Sequence, residues 1–442
     1  MLKPNTDLRL TKDELVEINK KYVFFSWSIQ EQVDPISIES GKGVTFWDQD
    51  GKQYLDFSAQ LMNLNIGYQH PAVIAAIQEQ AAKLCAAHPN MVHESKAVLG
   101  KMIAEVTPGD LNKVFFTLGG AEANENAIKF ARQFMGKQKI LTRYISYHGA
   151  TYGAITLSGD YRRLPVEPGI PGVVHVFDPY CYRCPFGHTR ETCHRECVTH
   201  IERVIEYEGP KAIAALLMEG VTGSNGILVP PDDYWPRLRE ITKKYDILLI
   251  SDEVMSGFGR TGAWFAVDNW GVIPDIMTMA KGLTSGYLPL GAVVVSDAIA
   301  RYFDNRMLYM GLTYFGHPMS CAAAVATLKI YSQENLIENS KQLGHVLGES
   351  LEELKQKHTI VGDVRYIGLF SVIELVKDRE TKEPLQAELM GEIKSNLLAE
   401  GLTTFVNKNM VFICPPLCIN QEELLTGLQI IDRAIGKVES RT

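Results

Sequence analysis

Short apolar stretches alternate with longer stretches of helical spacing along most of this 442-residue chain. Short, continuous apolar strands separated by helices are typical of a mostly parallel sheet with both faces covered. Ligands of such sheets bind at the carboxyl ends of the strands, so we expect the chemistry there. The predicted strands cover residues 113–117, 139–145, 173–177, 212–218, 246–251, 276–280 and 291–295.

The pattern changes after residue 320, and a further short motif lies near the N-terminus. Residues 44–57 alternate around an Asp-Gly pair, which predicts a β-hairpin. The sequence therefore predicts an α/β protein with a large domain at 61–320 and a smaller α+β domain formed by 1–60 with 321–442. The C-terminal part is predicted to hold helices at 320–332, 337–357 and 386–400, with short strands near 360–375 and 403–413.

Charge and hydropathy exclude two classes of partner. The net charge of −8 provides no basic surplus for a nucleic-acid backbone. No stretch approaches the ~20 uncharged apolar residues of a membrane span, and the polar N-terminus lacks the apolar core of a signal peptide. We expect a cytoplasmic protein.

Three features at strand ends have residue types that suit chemistry. Gly119, Gly120 and Ala121 follow an apolar strand and open a helix, where backbone N–H groups can bind an anion. Asp252 ends an apolar strand and can hold a protonated ring nitrogen, while Lys281 in an apolar pocket would have a nucleophilic amine. Each has a structural alternative: a tight turn, a helix cap and a surface lysine respectively.

The combination of these features matches the needs of pyridoxal 5′-phosphate (PLP): a helix N-terminus for the phosphate, an acid for the ring nitrogen and an amine for the aldehyde. The sequence resembles class III PLP-dependent aminotransferases over essentially its whole length. Within that family it is most similar to taurine:2-oxoglutarate aminotransferases, also in QLMNLNIGYQHP and DPYCYRCPFG. The matching family segments are GGAEANENAIKFAR, YHGATYGA, SDEVMSGFGRTG, MAKGLTSGYLPLGAVV and GLTYFGHPMSCAAA.

The resemblance implies the aspartate-aminotransferase-like fold (PLP fold type I) and assigns roles to residues. Lys281 corresponds to the Schiff-base lysine that also moves the proton, and Asp252 to the partner of the ring nitrogen. Tyr147 and Val254 correspond to the residues on the two ring faces. The other cofactor positions implied are the phosphate-binding Gly119, Gly120 and Ala121, and His148 beside Tyr147.

Two further positions carry over with structural alternatives. Glu219 resembles the strand-end acid near the ring hydroxyl, although a loop carboxylate is the alternative and Gly220 replaces the family's Pro. Thr313 resembles the residue that contacts the phosphate of the neighbouring subunit, with a helix cap as its alternative. Thr313 therefore implies a homodimer, or a dimer of dimers.

The residues that bind an α-carboxylate in many relatives are missing together. Ser224 stands where a Glu is usual, and the stretch before Pro415 contains Lys408 but no Arg. Ala150 replaces the Arg typical of 4-aminobutyrate enzymes. The anionic end of the donor must therefore be bound by other residues. The structural alternative is a solvated surface charge for each candidate cation and a place in the core for each candidate aromatic. The candidates are Arg162, Arg163 and Lys408 as cations, and Trp27 and Tyr152 as pocket-lining aromatics.

These observations predict transfer of the amino group of taurine to 2-oxoglutarate, which gives sulfoacetaldehyde and glutamate. The alternatives are a β-alanine or 4-aminobutyrate aminotransferase with 2-oxoglutarate or pyruvate as acceptor, and a PLP racemase or isomerase. Intact Lys281, Asp252 and Tyr147 argue against a non-catalytic protein.

Four cysteines are crowded into one short segment, Cys181-x2-Cys184-x8-Cys193-x3-Cys197. The spacing is compatible with a tetrahedral zinc site. A loop of reduced thiols is the alternative we favour, so no metal is predicted for catalysis.

Overall fold

The computed structural model describes residues 10–441, which fold into three sheets and their covering helices. The strands are β1 Ile38–Lys42, β2 Thr45–Asp48, β3 Gln53–Asp56, β4 Leu111–Thr117, β5 Lys139–Arg143, β6 Val173–Val176, β7 Ile213–Glu219, β8 Leu248–Asp252, β9 Ile276–Met279, β10 Gly291–Ser296, β11 Val361–Ile367, β12 Phe370–Leu375, β13 Leu402–Thr403, β14 Val406–Asn407 and β15 Met410–Ile413. The helices are α1 Lys12–Tyr22, α2 Ala59–Met62 (one irregular turn), α3 Pro71–Lys83, α4 Glu94–Val106, α5 Gly120–Met135, α6 Tyr152–Leu157, α7 Glu196–Glu208, α8 Tyr234–Lys244, α9 Asp297–Tyr302, α10 Pro318–Gln333, α11 Leu336–Lys357, α12 Ala387–Ala399 and α13 Gln421–Glu439.

The central sheet contains the seven apolar strands that the sequence predicts, in the order β4-β10-β9-β8-β7-β5-β6. β10 is antiparallel to both of its neighbours, and the pairs from β9 to β6 are parallel. Every residue of β7 to β10 is buried, as expected for strands covered on both faces. The prediction of a mostly parallel sheet is confirmed.

β5 ends two residues earlier than predicted. The apolar pattern predicts a strand at 139–145, but β5 ends at Arg143. The backbone N–H of Ile145 donates instead to the carboxylate of Asp178 at 2.8 Å. This side-chain bond turns the chain toward the sheet edge where Tyr147 and His148 follow.

The N-terminal hairpin and the C-terminal region share a sheet. β2 and β3 form the predicted hairpin, and β3 pairs in parallel with β13. A separate antiparallel sheet, β11-β12-β15-β14, lies in the C-terminal region. These pairings agree with a small domain built from both ends of the chain. The domain boundaries 61–320, 1–60 and 321–442 stay a prediction. Residues 1–9 lie outside the described residues.

The sheet topology positions the candidate site. β4, β7, β8 and β9 run in the same direction, so their carboxyl ends lie along one edge of the central sheet. The predicted functional residues follow at or just after those ends. Between residues 10 and 441, no helix is long and apolar enough to cross a membrane.

Candidate active site

A cavity of about 740 Å³ lies at the carboxyl edge of the central sheet. Its wall includes the start of α5, Asp252 at the end of β8, and Lys281 just after β9. The fold therefore gathers the three features that the sequence singles out. The remaining wall comes from Trp27, Glu219 and the segments 61–63, 147–150 and 405–407, among others.

The start of α5 presents backbone amides to this cavity. Gly119 is the N-cap, and no side chain caps the first turn. A Cβ on Gly120 would lie 2.6 Å from Cγ1 of Val254, and a Cβ on Gly149 would lie 2.4 Å from Cβ of Ala121. The glycines thus permit a close approach that side chains would prevent. The first-turn N–H groups, which have no acceptor within the helix, fit a phosphate.

Asp252 is 3% exposed, and its carboxylate accepts hydrogen bonds on both oxygens. Oδ2 accepts from Nδ2 of Asn124 at 2.8 Å and faces Nδ1 of His148 at 2.7 Å. Oδ1 accepts from the backbone N–H of Val254 at 3.0 Å. Nε2 of His148 lies 3.2 Å from Oγ1 of Thr142. This acceptor on the cavity wall suits a positively charged N–H donor, such as a protonated pyridine nitrogen.

Lys281 has a backbone φ of 41°, in the left-handed region that few residues with a side chain adopt. Burial lowers the pKa of its amine to about 8, although the negative charges of Asp252 and Glu219 act in the opposite direction. A buried amine of this kind is partly neutral near neutral pH and therefore nucleophilic. It fits the attachment of an aldehyde.

Glu219 ends β7 and is 4% exposed. Its Oε1 accepts from the backbone N–H of Gly223 at 2.9 Å, and its Oε2 from that of Tyr147 at 3.4 Å. Burial raises the pKa of Glu219, while neighbouring His148 and Arg143 act against that rise. The carboxylate therefore holds the Tyr147 segment against the sheet edge.

Arg162 brings a guanidinium to the cavity wall. Its centre lies 3.8 Å from the ring centroid of Tyr147 and 5.7 Å from that of Trp27. Nε donates to Oδ2 of Asp160 at 2.9 Å, and Nη2 donates to Oγ of Ser224 at 2.9 Å. These bonds leave Nη1 without a hydrogen-bond acceptor in the part of the chain that the structure describes. The side chain is thus anchored and still has two donors for an anion.

Ser224 also connects the cavity to the C-terminal region. Nδ2 of Asn407 donates to its backbone oxygen at 2.9 Å, and both Phe405 and Asn407 line the cavity. The two segments in which the sequence lacks the usual α-carboxylate partners therefore meet on one wall. Arg162 supplies the positive charge on that wall.

Three candidates for the donor pocket lie off the cavity wall of this chain, and their contact with the donor stays a prediction. Arg163 follows Arg162 in a 3₁₀ turn, so its side chain points about 120° away, and it pairs with Glu167. The ring of Tyr152 is 59% exposed. Lys408 is exposed at the β14–β15 turn, with Nζ 5.7 Å from the ring centroid of Tyr161.

Trp27 and Thr313 occupy different surroundings. Trp27 lines the cavity and contacts Tyr147 edge-on, with ring centroids 6.0 Å apart. Thr313 is exposed and lies outside the cavity wall of its own chain. Its predicted contact belongs to a second subunit, so it stays a prediction.

The four crowded cysteines line a second cavity, of about 710 Å³. All four are free thiols, and burial raises the pKa of Cys197 to about 12 and also raises that of Cys181. Zinc prefers thiolates, and residues 10–441 contain no group of three or more His, Cys, Asp or Glu side chains placed to hold a metal ion. The loop of reduced thiols formed by Cys181, Cys184, Cys193 and Cys197 therefore stays a prediction.

Sequence reasoning missed the role of Asn124. It lies in the quoted GGAEANEN segment, four residues after Gly120, and such a spacing puts two residues on the same face of a helix. That spacing was the available signal. Its contact with Asp252, 128 positions away, is a property of the fold.

The family model "Aminotransferase class-III" matches residues 28–435. The chain belongs to the class III aminotransferase family. A solved taurine:2-oxoglutarate aminotransferase from Bifidobacterium kashiwanohense, in complex with PLP and glutamate, is similar at 41% identity and a TM-score of 0.93, over 98% of this chain and 99% of that chain. A taurine–pyruvate aminotransferase from Bilophila wadsworthia is 35% identical over 97% of this chain and 98% of its own length.

A leucine/methionine racemase from Thermococcus litoralis is also 35% identical to this aminotransferase, over 97% of each chain. Proteins that share about 35% sequence identity with this chain are therefore named for more than one reaction. The class III aminotransferase uses PLP and has PLP fold type I. The helix start, Asp252 and Lys281 fit the phosphate, ring nitrogen and aldehyde of that cofactor. As an aminotransferase it needs an amino donor and a 2-oxo acid acceptor.

Proposed function

We propose that this enzyme transfers the amino group of a short ω-amino acid, taurine, to 2-oxoglutarate. The observation that carries the proposal is Arg162, whose Nη1 has no hydrogen-bond acceptor within residues 10–441 and which lies on a wall without the usual α-carboxylate partners. A sulfonate two carbons from the amine needs a cation at a distance from Lys281, and guanidinium N–H groups suit its oxygens.

We assign the cofactor roles as follows. Lys281 would hold the cofactor through its amine and would move a proton from the amine carbon of the donor. Asp252, held by His148, would accept a hydrogen bond from the ring N–H, and Tyr147 and Val254 would contact the ring. When bound, PLP supplies the aldehyde carbon and the electron-accepting ring. Glu219 fixes the Tyr147 segment, and the amides of Gly119, Gly120 and Ala121 bind the phosphate.

Taurine suits this arrangement for a chemical reason. Its amine carbon bears two hydrogens and no carboxylate, so Lys281 can remove a proton without an adjacent negative charge. The Arg162 guanidinium lies over the ring of Tyr147 and its side chain is 11% exposed, so it has little contact with water and forms stronger hydrogen bonds to an anion. β-Alanine carries its carboxylate two carbons from the amine, as taurine carries its sulfonate, and 4-aminobutyrate carries it one carbon further away; these two are the alternative donors.

The two relatives are both named for taurine as the amino donor, but they are named for different acceptors. The Bifidobacterium kashiwanohense enzyme is a taurine:2-oxoglutarate aminotransferase, whereas the Bilophila wadsworthia enzyme is named for taurine and pyruvate. We infer 2-oxoglutarate because the more similar of these two relatives is named for it, and because its distal carboxylate can use the same Arg162 donors as the sulfonate. Pyruvate, which lacks that carboxylate, is the alternative.

The deciding measurement is kcat/KM for taurine, β-alanine and 4-aminobutyrate with 2-oxoglutarate, in the native enzyme and in Arg162→Ala. Loss of a charge-assisted hydrogen bond weakens binding by ~10–100-fold. We expect a drop of that size for taurine and little change for propylamine, which has no anion. Arg163→Ala is the matched control, because that neighbouring side chain pairs with Glu167 off the cavity wall.

Equal losses for taurine and propylamine would refute the role of Arg162. If taurine is the poorest of the three ω-amino donors by a large factor, the taurine proposal fails, while membership of the family is unaffected.

The similarity to the Thermococcus litoralis enzyme favours racemisation as the second candidate function. The two reactions differ in the fate of the cofactor. With donor alone, transamination converts the absorbance of bound PLP to that of pyridoxamine phosphate, whereas racemisation returns it unchanged. We expect conversion with taurine and no inversion of leucine or methionine by chiral chromatography.

A further inference from the structure

Asn124 forms hydrogen bonds with residues of three segments that line or precede the candidate cofactor site. It is 0% exposed and lies in the first turns of α5, just after the proposed phosphate cradle. Nδ2 donates to Oδ2 of Asp252 and to the backbone oxygen of His148, both at 2.8 Å. Oδ1 accepts from Oγ1 of Thr278, in the strand that precedes Lys281, at 2.9 Å. One amide thus connects α5, β8, β9 and the Tyr147–His148 segment.

We propose that Asn124 is a positioning residue that aims the Asp252 carboxylate at the ring nitrogen of the cofactor. Two donors meet Oδ2, from Asn124 and His148, and the Val254 N–H meets Oδ1. With its rotation fixed in this way, the carboxylate keeps one orientation toward the cavity. Removal of Asn124 leaves the carboxylate with one side-chain partner and frees it to turn.

Thr278 determines which end of the Asn124 amide faces Asp252. An amide has one accepting oxygen and one donating nitrogen, and only the nitrogen is compatible with a carboxylate. The Thr278 hydroxyl donates to Oδ1, while the His148 carbonyl needs a donor. Both contacts favour the same orientation of the amide. Thr278→Val removes one of them and is expected to weaken the effect of Asn124 without deleting its side chain.

A cofactor analogue without the ring nitrogen tests this role of Asn124. Apoenzyme is titrated with PLP and with 1-deazapyridoxal 5′-phosphate, in which a C–H group replaces the ring nitrogen. Cofactor absorbance and protein fluorescence give the two dissociation constants. The variants are Asn124→Ala and Thr278→Val. The matched control is Asn126→Ala, because Asn126 is buried on the same helix but donates to the backbone oxygen of Glu122.

For Asn124→Ala we expect the dissociation constant of PLP to increase by about 10-fold or more, the scale of a hydrogen bond to a charged group, and that of the deaza analogue to stay within about twofold. Thr278→Val should show a smaller change, again with PLP only. Asn126→Ala should leave both constants unchanged.

Two results would overturn the proposal. An equal loss for both ligands would mean that Asn124 only supports the phosphate cradle or the fold. An unchanged PLP constant in both Asn124→Ala and Thr278→Val would mean that Asp252 needs no such support. If Asn124→Ala does not fold, Thr278→Val alone decides between these outcomes, because it retains the buried amide.

Discussion

Gly120→Ala tests whether the first turn of α5 must lie in direct contact with Val254. The new Cβ would lie 2.6 Å from Cγ1, 3.0 Å from Cγ2 and 3.4 Å from Cβ of Val254. Because both γ carbons are close, rotation about χ1 of Val254 always leaves at least one methyl group at one of these positions, and the helix start must move away by up to roughly 1 Å. Such overpacking costs about 1–3 kcal/mol. Displacement of one phosphate-binding amide would in addition weaken PLP binding by ~10–100-fold.

The assay is a PLP titration of apoenzyme combined with thermal unfolding, for Gly120→Ala, Val254→Ala and the double variant. If the clash is the cause, the double variant binds PLP more tightly than the sum of the single effects predicts. Gly391→Ala is the control, since a Cβ there has no heavy atom within 4 Å. Purely additive effects, or native affinity in Gly120→Ala, would refute this reasoning about the cradle.

Three further predictions follow from the site. Because burial lowers the pKa of Lys281 to about 8, the amine loses its proton as the pH rises through that value. The initial rate of PLP attachment to apoenzyme should therefore rise up to about pH 8 and then level off. A rate that falls across this window contradicts the assignment. Asp252→Asn replaces an acceptor by an amide that cannot balance a ring cation, so single-turnover rates should fall by about 100-fold or more with cofactor still bound; a native rate excludes this role. If Thr313 contacts the phosphate of a partner subunit, dilution to monomer in sedimentation experiments should release cofactor, and an active, PLP-loaded monomer would disprove it.

The sequence by itself determined the architecture and indicated the edge of the sheet at which the candidate site lies. Apolar strands that alternate with helices leave few arrangements other than a doubly covered parallel sheet. In that sheet the carboxyl ends of neighbouring strands meet at one edge. Gly120, Asp252 and Lys281 each follow such a strand, so their proximity could be predicted before any contact was known.

Only the tertiary structure decided which side chains support and complete the site. Arg162 and Arg163 are chemically equal in the sequence, and a rotation of one residue in a 3₁₀ turn places one on the cavity wall and pairs the other with Glu167. Asn124 is one polar residue among several on α5 until the fold sets it 2.8 Å from Asp252. Local patterns encode the period and the ends of an element. The packing of the elements decides which way a side chain points and which residue of a distant strand it contacts.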